Sequence, residues 1–533
     1  MSEVKKVKLS REEIAKREIG VTEVSKSQKL FLSIFFLFVI GVYPCVQFVY
    51  SSPLKEIRPA PTAQKAFKQY ETAIEDTSLL RAVLLTPAQA LLTKCFRTGN
   101  EKVIIGRDGW LFYSGDYDYL TNPGFMQAGR MHKRDLAGSH PDAVSAIRKF
   151  ADDLKARDIR LILIPAPSKP LVYGDKLGAG ENRKGNKSFD EFRKQVEASG
   201  VTVLDFTDDF IAMRKNGVDS YLKTDTHWTP AAMQFAAKKT AEAIGDAEPN
   251  TETGTKTAIT ARGDIANMLK LPDVDDIFPK QTVESIQYNG GRDRNSDVLL
   301  LGDSFTNIFS LDAMGWGTRA GFAETLAHEL GRPVDVIAQN DAGAHATRDA
   351  LATEFMRGHD RLKGKKVVVW EFAVRELAVG DWTDSPLVLK ERKETVSSST
   401  KTENGTVTTD SSNRPESNEE RGFLTIEEPR TVTAAVLGVT SVPRPHSAPY
   451  KDHVMSLHLG NIDGGNAEAL VYIASMRDNV WTDAARLSIG DTVRIELKPW
   501  ADFEDEYGSW NRSEFDDDDL MLQDPCWGEL LPK

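Results

Sequence analysis

Five short apolar runs, at residues 159–164, 201–204, 298–301, 334–338 and 366–372, punctuate the middle of this chain and limit what it can fold into. Each has the length of one buried strand. Between them, apolar residues recur three and four apart, as at Val144, Ile147, Ala151 and Leu154, the repeat of a helix that buries one face. Strands that are apolar throughout are covered on both sides, and strands separated by helices pair in parallel. The expectation for residues 101–388 is therefore an α/β domain: a mostly parallel sheet with helices on both faces.

The flanks differ from this core. Residues 30–50 read LFLSIFFLFVIGVYPCVQFVY, long enough to cross a bilayer as a helix. Lys5, Lys6, Lys8, Arg11, Lys16, Arg17, Lys26 and Lys29 come before it, the basic excess that holds an N-terminus in the cytoplasm. The run reads as an uncleaved transmembrane anchor, with 1–29 a cytoplasmic basic tail and the rest of the chain outside the cytoplasm. Residues 51–100 read as a linker with helical stretches, one of them at 63–75. Residues 389–422 are rich in Ser, Thr, Asn and Glu and almost free of apolar side chains, the composition of a flexible linker. Strand-like runs at 454–459, 469–473 and 491–497 make 423–533 a small β domain, a barrel or a sandwich. A net charge of -12 excludes nucleic acid as partner, since phosphates demand a Lys/Arg surplus. Of three cysteines, Cys45 lies in the apolar run; pairing of Cys95 with Cys526 stays open.

Two segments carry chemistry. The run at 298–301 passes directly into Gly302-Asp303-Ser304-Phe305, which puts Ser304 at the carboxyl end of a strand, where open parallel sheets bind ligands. Read alone, Ser304 is equally a nucleophile or a helix cap. The second segment is Thr224-Asp225-Thr226-His227-Trp228-Thr229-Pro230. A serine hydroxyl needs a base to take its proton, and the base needs a group to fix its tautomer. In an extended segment Asp225 and His227 point to one side and form such a pair, with Pro230 opening a helix over 231–244. Among other candidates, Asn340 and Arg348 follow the run at 334–338 and face the same crevice. Trp110 and Tyr113 can stack on sugar rings but, as large apolar side chains beside a strand, are more often core, and the same holds for the pair Trp370-Glu371. No cluster with metal-ligand spacing is evident, and acyl transfer through these residues calls for no cofactor.

Asp225-Thr226-His227-Trp228-Thr229, followed by Gly302-Asp303-Ser304-Phe305, resembles the alginate O-acetyltransferase family of AlgX and AlgJ type, with its SGNH-hydrolase-like, flavodoxin-like fold. Gly106-Arg107-Asp108-Gly109-Trp110-Leu111-Phe112-Tyr113 and Pro165-Ala166-Pro167-Ser168-Lys169 also match its pattern. The order Asp-His before Ser is characteristic, because ordinary SGNH esterases carry the serine first. The resemblance covers roughly 100–380. It implies Ser304 as nucleophile, His227 as general base and Asp225 as its orienting partner, with Arg348, Asn340 and Lys169 at the substrate. It also implies a polysaccharide acceptor, a membrane-bound O-acyltransferase that supplies acetyl groups, and exopolysaccharide secretion proteins. The catalytic part is then expected in the periplasm, on a single-pass anchor in the inner membrane. Two other readings fit the same residues: an acetylesterase with the same triad, or a non-catalytic polysaccharide-binding scaffold. The tail at 423–533 departs from the family pattern.

Overall fold

The structure, a computed structural model, describes residues 25–42, 45–46, 84–178, 185–340, 343–389, 422–443, 450–515 and 517–532. The chain divides into two compact units, 1–90 and 91–533. In the first, Ser25 caps the helix Lys26–Leu37, accepting from the Gln28 amide while the Gln28 side chain answers to the Ser25 amide. Among the described residues no helix is long and apolar enough to cross a membrane. The expected span at 30–50 lies partly outside those residues. The helix expected at 63–75, and all but the ends of the linker at 389–422, lie wholly outside them.

The second unit opens on a small hairpin, β1 (Val103–Ile105) with β2 (Leu111–Tyr113). A five-stranded sheet follows, built from β3 (Arg160–Ala166), β4 (Thr202–Val203), β7 (Val298–Gly302), β8 (Asp335–Ala338) and β9 (Val367–Ala373). All its pairings are parallel, as the apolar runs predict. Successive residues of one strand serve opposite cores. Leu300 and Val369 face the helices Pro230–Ile244 and Phe322–Leu330, whereas Leu299, Leu301 and Trp370 face Ala143–Lys155, Phe189–Glu197 and Ala346–Met356. A hairpin of β5 (Thr255–Ala261) with β6 (Gln281–Gln287) projects from the crossover before β7. Its residues are mostly exposed or half-buried, so it lacks the apolar signature of the central strands.

The spatial order β4-β3-β9-β7-β8 departs from the flavodoxin-like sequence of strands when read in chain order. Counted from β7, through β8, β9, β3 and β4, it becomes 2-1-3-4-5, the flavodoxin-like order. The pairings are thus conventional, and only the point where the chain enters them has moved. That shift puts the serine strand late in the chain and the Asp225–His227 segment before it.

The tail folds as β10 (Arg430–Val439), β11 (His453–Gly460), β12 (Ala469–Arg477), β13 (Val480–Trp481), β14 (Thr492–Pro499), β15 (Arg512–Ser513) and β16 (Pro525–Leu530). Pairings β10–β11, β11–β12, β12–β16, β16–β14 and β14–β10 close a ring, so the region is barrel-like. Val432, Leu457, Val471 and Ile495 fill its interior. Cys526 is buried in β16 and Cys95 is exposed in the helix Thr86–Phe96; both are free thiols.

Buried ion pairs hold this barrel region against the α/β sheet. Arg361 is bidentate to Asp335, at 2.7 and 3.1 Å, and reaches Glu504 at 2.8 Å. Lys365 lies 3.0 Å from the same Asp335. Arg361→Ala is expected to destabilise the chain by about 2 kcal/mol: the buried Asp335 loses its bidentate partner but keeps Lys365, and the half-buried Glu504 keeps Arg294. A denaturant midpoint shift worth less than about 1 kcal/mol would show that solvent reaches this contact.

Candidate active site

Ser304 begins the short helix Ser304–Asn307 directly after β7. β7 lies between β8 and β9, the switch point of the sheet, where open parallel sheets place their ligand crevice. Asp303 fixes the turn: one carboxyl oxygen accepts the Phe305 amide at 2.8 Å and the other the Ala373 amide at 2.8 Å. The turn is therefore tied both to its own helix and to the end of β9.

The second segment reaches the serine across the crevice. Tyr221 bridges to Trp228, the Leu222 amide donates to the His227 carbonyl at 3.0 Å, and Asp225 to His227 form the tip of the resulting loop. Trp228 is fully buried, and its indole N–H donates to the Phe305 carbonyl at 3.0 Å. That bond joins the loop to the serine helix. Thr229 caps the helix Pro230–Ile244, which starts at Pro230 as expected. The tip is a tight turn, not the extended segment expected from the Asp-x-His spacing. The Asp225 carboxylate accepts the His227 amide at 3.0 Å, the local bond by which aspartate closes such turns.

These constraints align three groups. His227 Nε2 lies 2.8 Å from Ser304 Oγ, and His227 Nδ1 lies 2.7 Å from Asp225 Oδ1. Asp225 Oδ2 accepts from the Trp316 indole at 2.9 Å and the Asp264 amide at 3.0 Å. Burial alone would raise the Asp225 carboxyl, but the His227 bond and charge and these amides hold it at about 2. For His227, burial favours the neutral ring; the bond and charge of Asp225 outweigh it, so the imidazole titrates above its ordinary value. Such a set removes a proton from serine, stabilises the imidazolium, and returns the proton to a leaving group.

Asp264 is a member of this site that sequence reading missed. Its carboxylate accepts the Thr226 amide at 2.7 Å, while its own amide holds Asp225, so the two aspartates brace each other. Burial and the Asp225 charge push its carboxyl up, although 29% of the side chain meets solvent. No spacing or composition near Gly263-Asp264 signals that contact, and none signals Trp316. Sequence spacing shows no metal-ligand cluster, whereas the fold brings ligand-type atoms of Asp225, His227 and Asp264 within 4.8 Å of one another. His227 Nδ1 is already committed there to Asp225.

The remaining sequence candidates take other places. Lys169 is only 1% exposed, and its ammonium donates to the carbonyls of Leu111 at 2.6 Å, Lys223 at 3.1 Å and Asp225 at 2.8 Å. Burial pulls its pKa down to about 7. It supports the Asp225 loop from behind, with its charge over the Trp110 and Phe112 rings. Arg348 is 3% exposed, stacks on Trp370 at 5.1 Å and donates to the Thr383 carbonyl at 2.6 Å. Asn340 sits beside the serine helix and accepts from the Asn307 amide group at 2.9 Å. Its own NH₂ meets the Met314 thioether, at 3.7 Å. Trp110 is core, stacked on Tyr173 at 4.0 Å, and Tyr113 lies under Arg375.

A family model described as SGNH hydrolase-like domain, acetyltransferase AlgX, matches residues 103–374. A probable alginate O-acetylase AlgJ of Pseudomonas fluorescens is 26% identical over 303 residues, covering 55% of this chain and 72% of that relative. An alginate biosynthesis protein AlgX of Pseudomonas aeruginosa is 24% identical over 147 residues, 27% of each chain. Among solved structures, the O-acetyltransferase domain of Pseudomonas putida AlgJ is 24% identical, covers 52% of this chain and 92% of that domain, and has a TM-score of 0.39.

Proposed function

The chain belongs to the family of SGNH hydrolase-like, AlgX-type acetyltransferases, and from that premise we propose that it transfers acetyl groups to hydroxyls of an exported polysaccharide through an acetyl-Ser304 intermediate. The observation that carries this reading is the 2.8 Å contact of Ser304 Oγ with a His227 ring whose far nitrogen is held by Asp225.

In the first half-reaction His227 Nε2 takes the Ser304 proton as Oγ attacks the acetyl carbonyl. The tetrahedral oxyanion is met by the Ser304 amide and the Asn340 NH₂, and His227 gives its proton to the departing donor group. In the second half, a sugar hydroxyl passes its proton to His227 and attacks the acetyl-serine. Ser304 then leaves, taking the proton back from His227. Donor and acceptor use one base in turn.

The names of the relatives make alginate the first acceptor to test. The basic tail and apolar run at the N-terminus support an inner-membrane anchor with the catalytic part in the periplasm. On that arrangement the acetyl donor reaches Ser304 from a membrane-bound O-acyltransferase, and the acceptor from an exopolysaccharide secretion apparatus.

The test uses the purified full chain in detergent with a chromogenic acetyl ester, with and without alginate oligosaccharides, and mass spectrometry of the saccharide. Acetylated oligosaccharide is the expected product. Free acetate alone, at a rate indifferent to saccharide, would make the protein an esterase instead.

A further inference from the structure

Two carboxyl groups meet beneath the nucleophile, and Glu371 is the one the relay leaves unexplained. It projects from β9 and is 1% exposed. Its Oε2 accepts the Asp303 amide at 3.2 Å and the Thr306 hydroxyl at 2.9 Å. Its Oε1 has no hydrogen-bond partner, and the Asp303 carboxyl reaches the same strand two residues on, where it accepts the Ala373 amide. Two ionised carboxylates facing each other in a dry site repel, whereas one proton between them makes a strong charge-assisted bond.

The partners decide which group holds that proton. Both Asp303 oxygens accept backbone amides, which favours the ionised form. Glu371 has an idle oxygen and no cation of its own. Arg375, just past β9, turns to Asp116 at 3.2 Å and lies over Tyr113. The other ionisable groups around the pair are Glu376, Asp116, the buried Tyr221 and His227; of these only the His227 imidazolium brings positive charge, and its ring is paired with Asp225 and Ser304.

We propose that Glu371 is a positioning residue for the acyl-transfer site, a carboxylic acid that ties β9 to the turn at 302–304. It accepts from the Asp303 amide and the Thr306 hydroxyl and donates to the Asp303 carboxylate. The proposal rests on Ser304 being the nucleophile. Burial and the Asp303 charge act in the same direction, raising Glu371 well above the ordinary carboxyl value. The proton does two things. It fixes the peptide that aims the Ser304 amide, and it leaves one negative charge beneath Ser304 in place of two. A second charge would oppose the oxyanion that forms there.

Glutamine at 371 reproduces the neutral acid: its carbonyl accepts and its NH₂ donates to Asp303. Glu371→Gln in the full chain is expected to keep kcat for the chromogenic ester within about threefold. Glu371→Leu leaves the Asp303 amide and the Thr306 hydroxyl without their acceptor and is expected to lose about tenfold to a hundredfold in kcat, with KM little changed. Infrared spectra of the parent at neutral pH are expected to show a protonated-carboxyl C=O band that Glu371→Gln removes. A glutamine protein as impaired as the leucine protein, or no such band, overturns the proposal. Should the leucine protein not fold, the glutamine rate and the band decide. Ester turnover in Ser304→Ala equal to the parent would instead remove the nucleophile reading itself, whatever Glu371 does.

Discussion

Replacing Ser304 with alanine is expected to lower acetyl transfer by on the order of 10⁶-fold while leaving acceptor binding and the fold in place. The loss is large because one atom begins both half-reactions: without Oγ there is no acetyl-enzyme for the sugar to attack. The structural cost is small. Ser304 Oγ contacts only His227 Nε2 among the bonds that hold the turn; Asp303, Thr306 and Trp228 carry the rest. Losing that contact costs about 1 kcal/mol. The decisive measurement is intact-protein mass after brief exposure to an acetyl ester. The parent is expected to gain one acetyl group that maps to Ser304, and the variant none. A fall of less than about a hundredfold, with acetylation still present, would place the nucleophile elsewhere.

Sequence made this site legible to an uneven depth. Ser304 and the Asp225–His227 pair were readable because strand-to-helix punctuation after 298–301 is local, and so is the Pro230 helix start after His227. The five sheet strands were readable because burial on both faces leaves continuous apolar runs. The β5–β6 hairpin was not, since its residues alternate between exposed and half-buried and include many threonines and glutamines. Contacts between distant segments were the other blind spot. Asp264 lies 39 residues from Asp225 and Trp316 lies 91 away, and neither has a neighbourhood that announces a role. Charge type also misled. Lys169 and Arg348 look like ligands for an acidic substrate, but both are buried: Lys169 spends its donors on backbone carbonyls, and Arg348 gives one to the Thr383 carbonyl while its guanidinium lies over Trp370. A cation can serve the loop that carries the chemistry without touching what is transformed.

Asp225→Asn is expected to cost about 10⁴-fold in kcat and also to move the pH profile, which separates it from a mere packing defect. In the parent, Asp225 Oδ1 accepts the His227 Nδ1 proton, so Nε2 is the free base facing Ser304. Asparagine can present its NH₂ to Nδ1, which forces the proton onto Nε2, where it blocks serine. The sign of the pH effect follows from the imidazole. A protonated His227 cannot accept the Ser304 proton, so activity is lost as pH falls through its pKa. The Asp225 charge raises that pKa, so the parent's acid limb lies above the ordinary histidine value near 6.5. Removing the charge leaves burial, which favours the neutral ring, and the acid limb of the asparagine protein is expected at lower pH. The measurement is kcat/KM for the chromogenic ester between pH 5 and 9, alongside melting temperature. A uniform fall in rate with the acid limb unmoved would mean that Asp225 orients the ring without raising its pKa. A shifted limb with an unchanged plateau would mean that the Trp316 and Asp264 contacts, not the carboxylate charge, hold His227 in register.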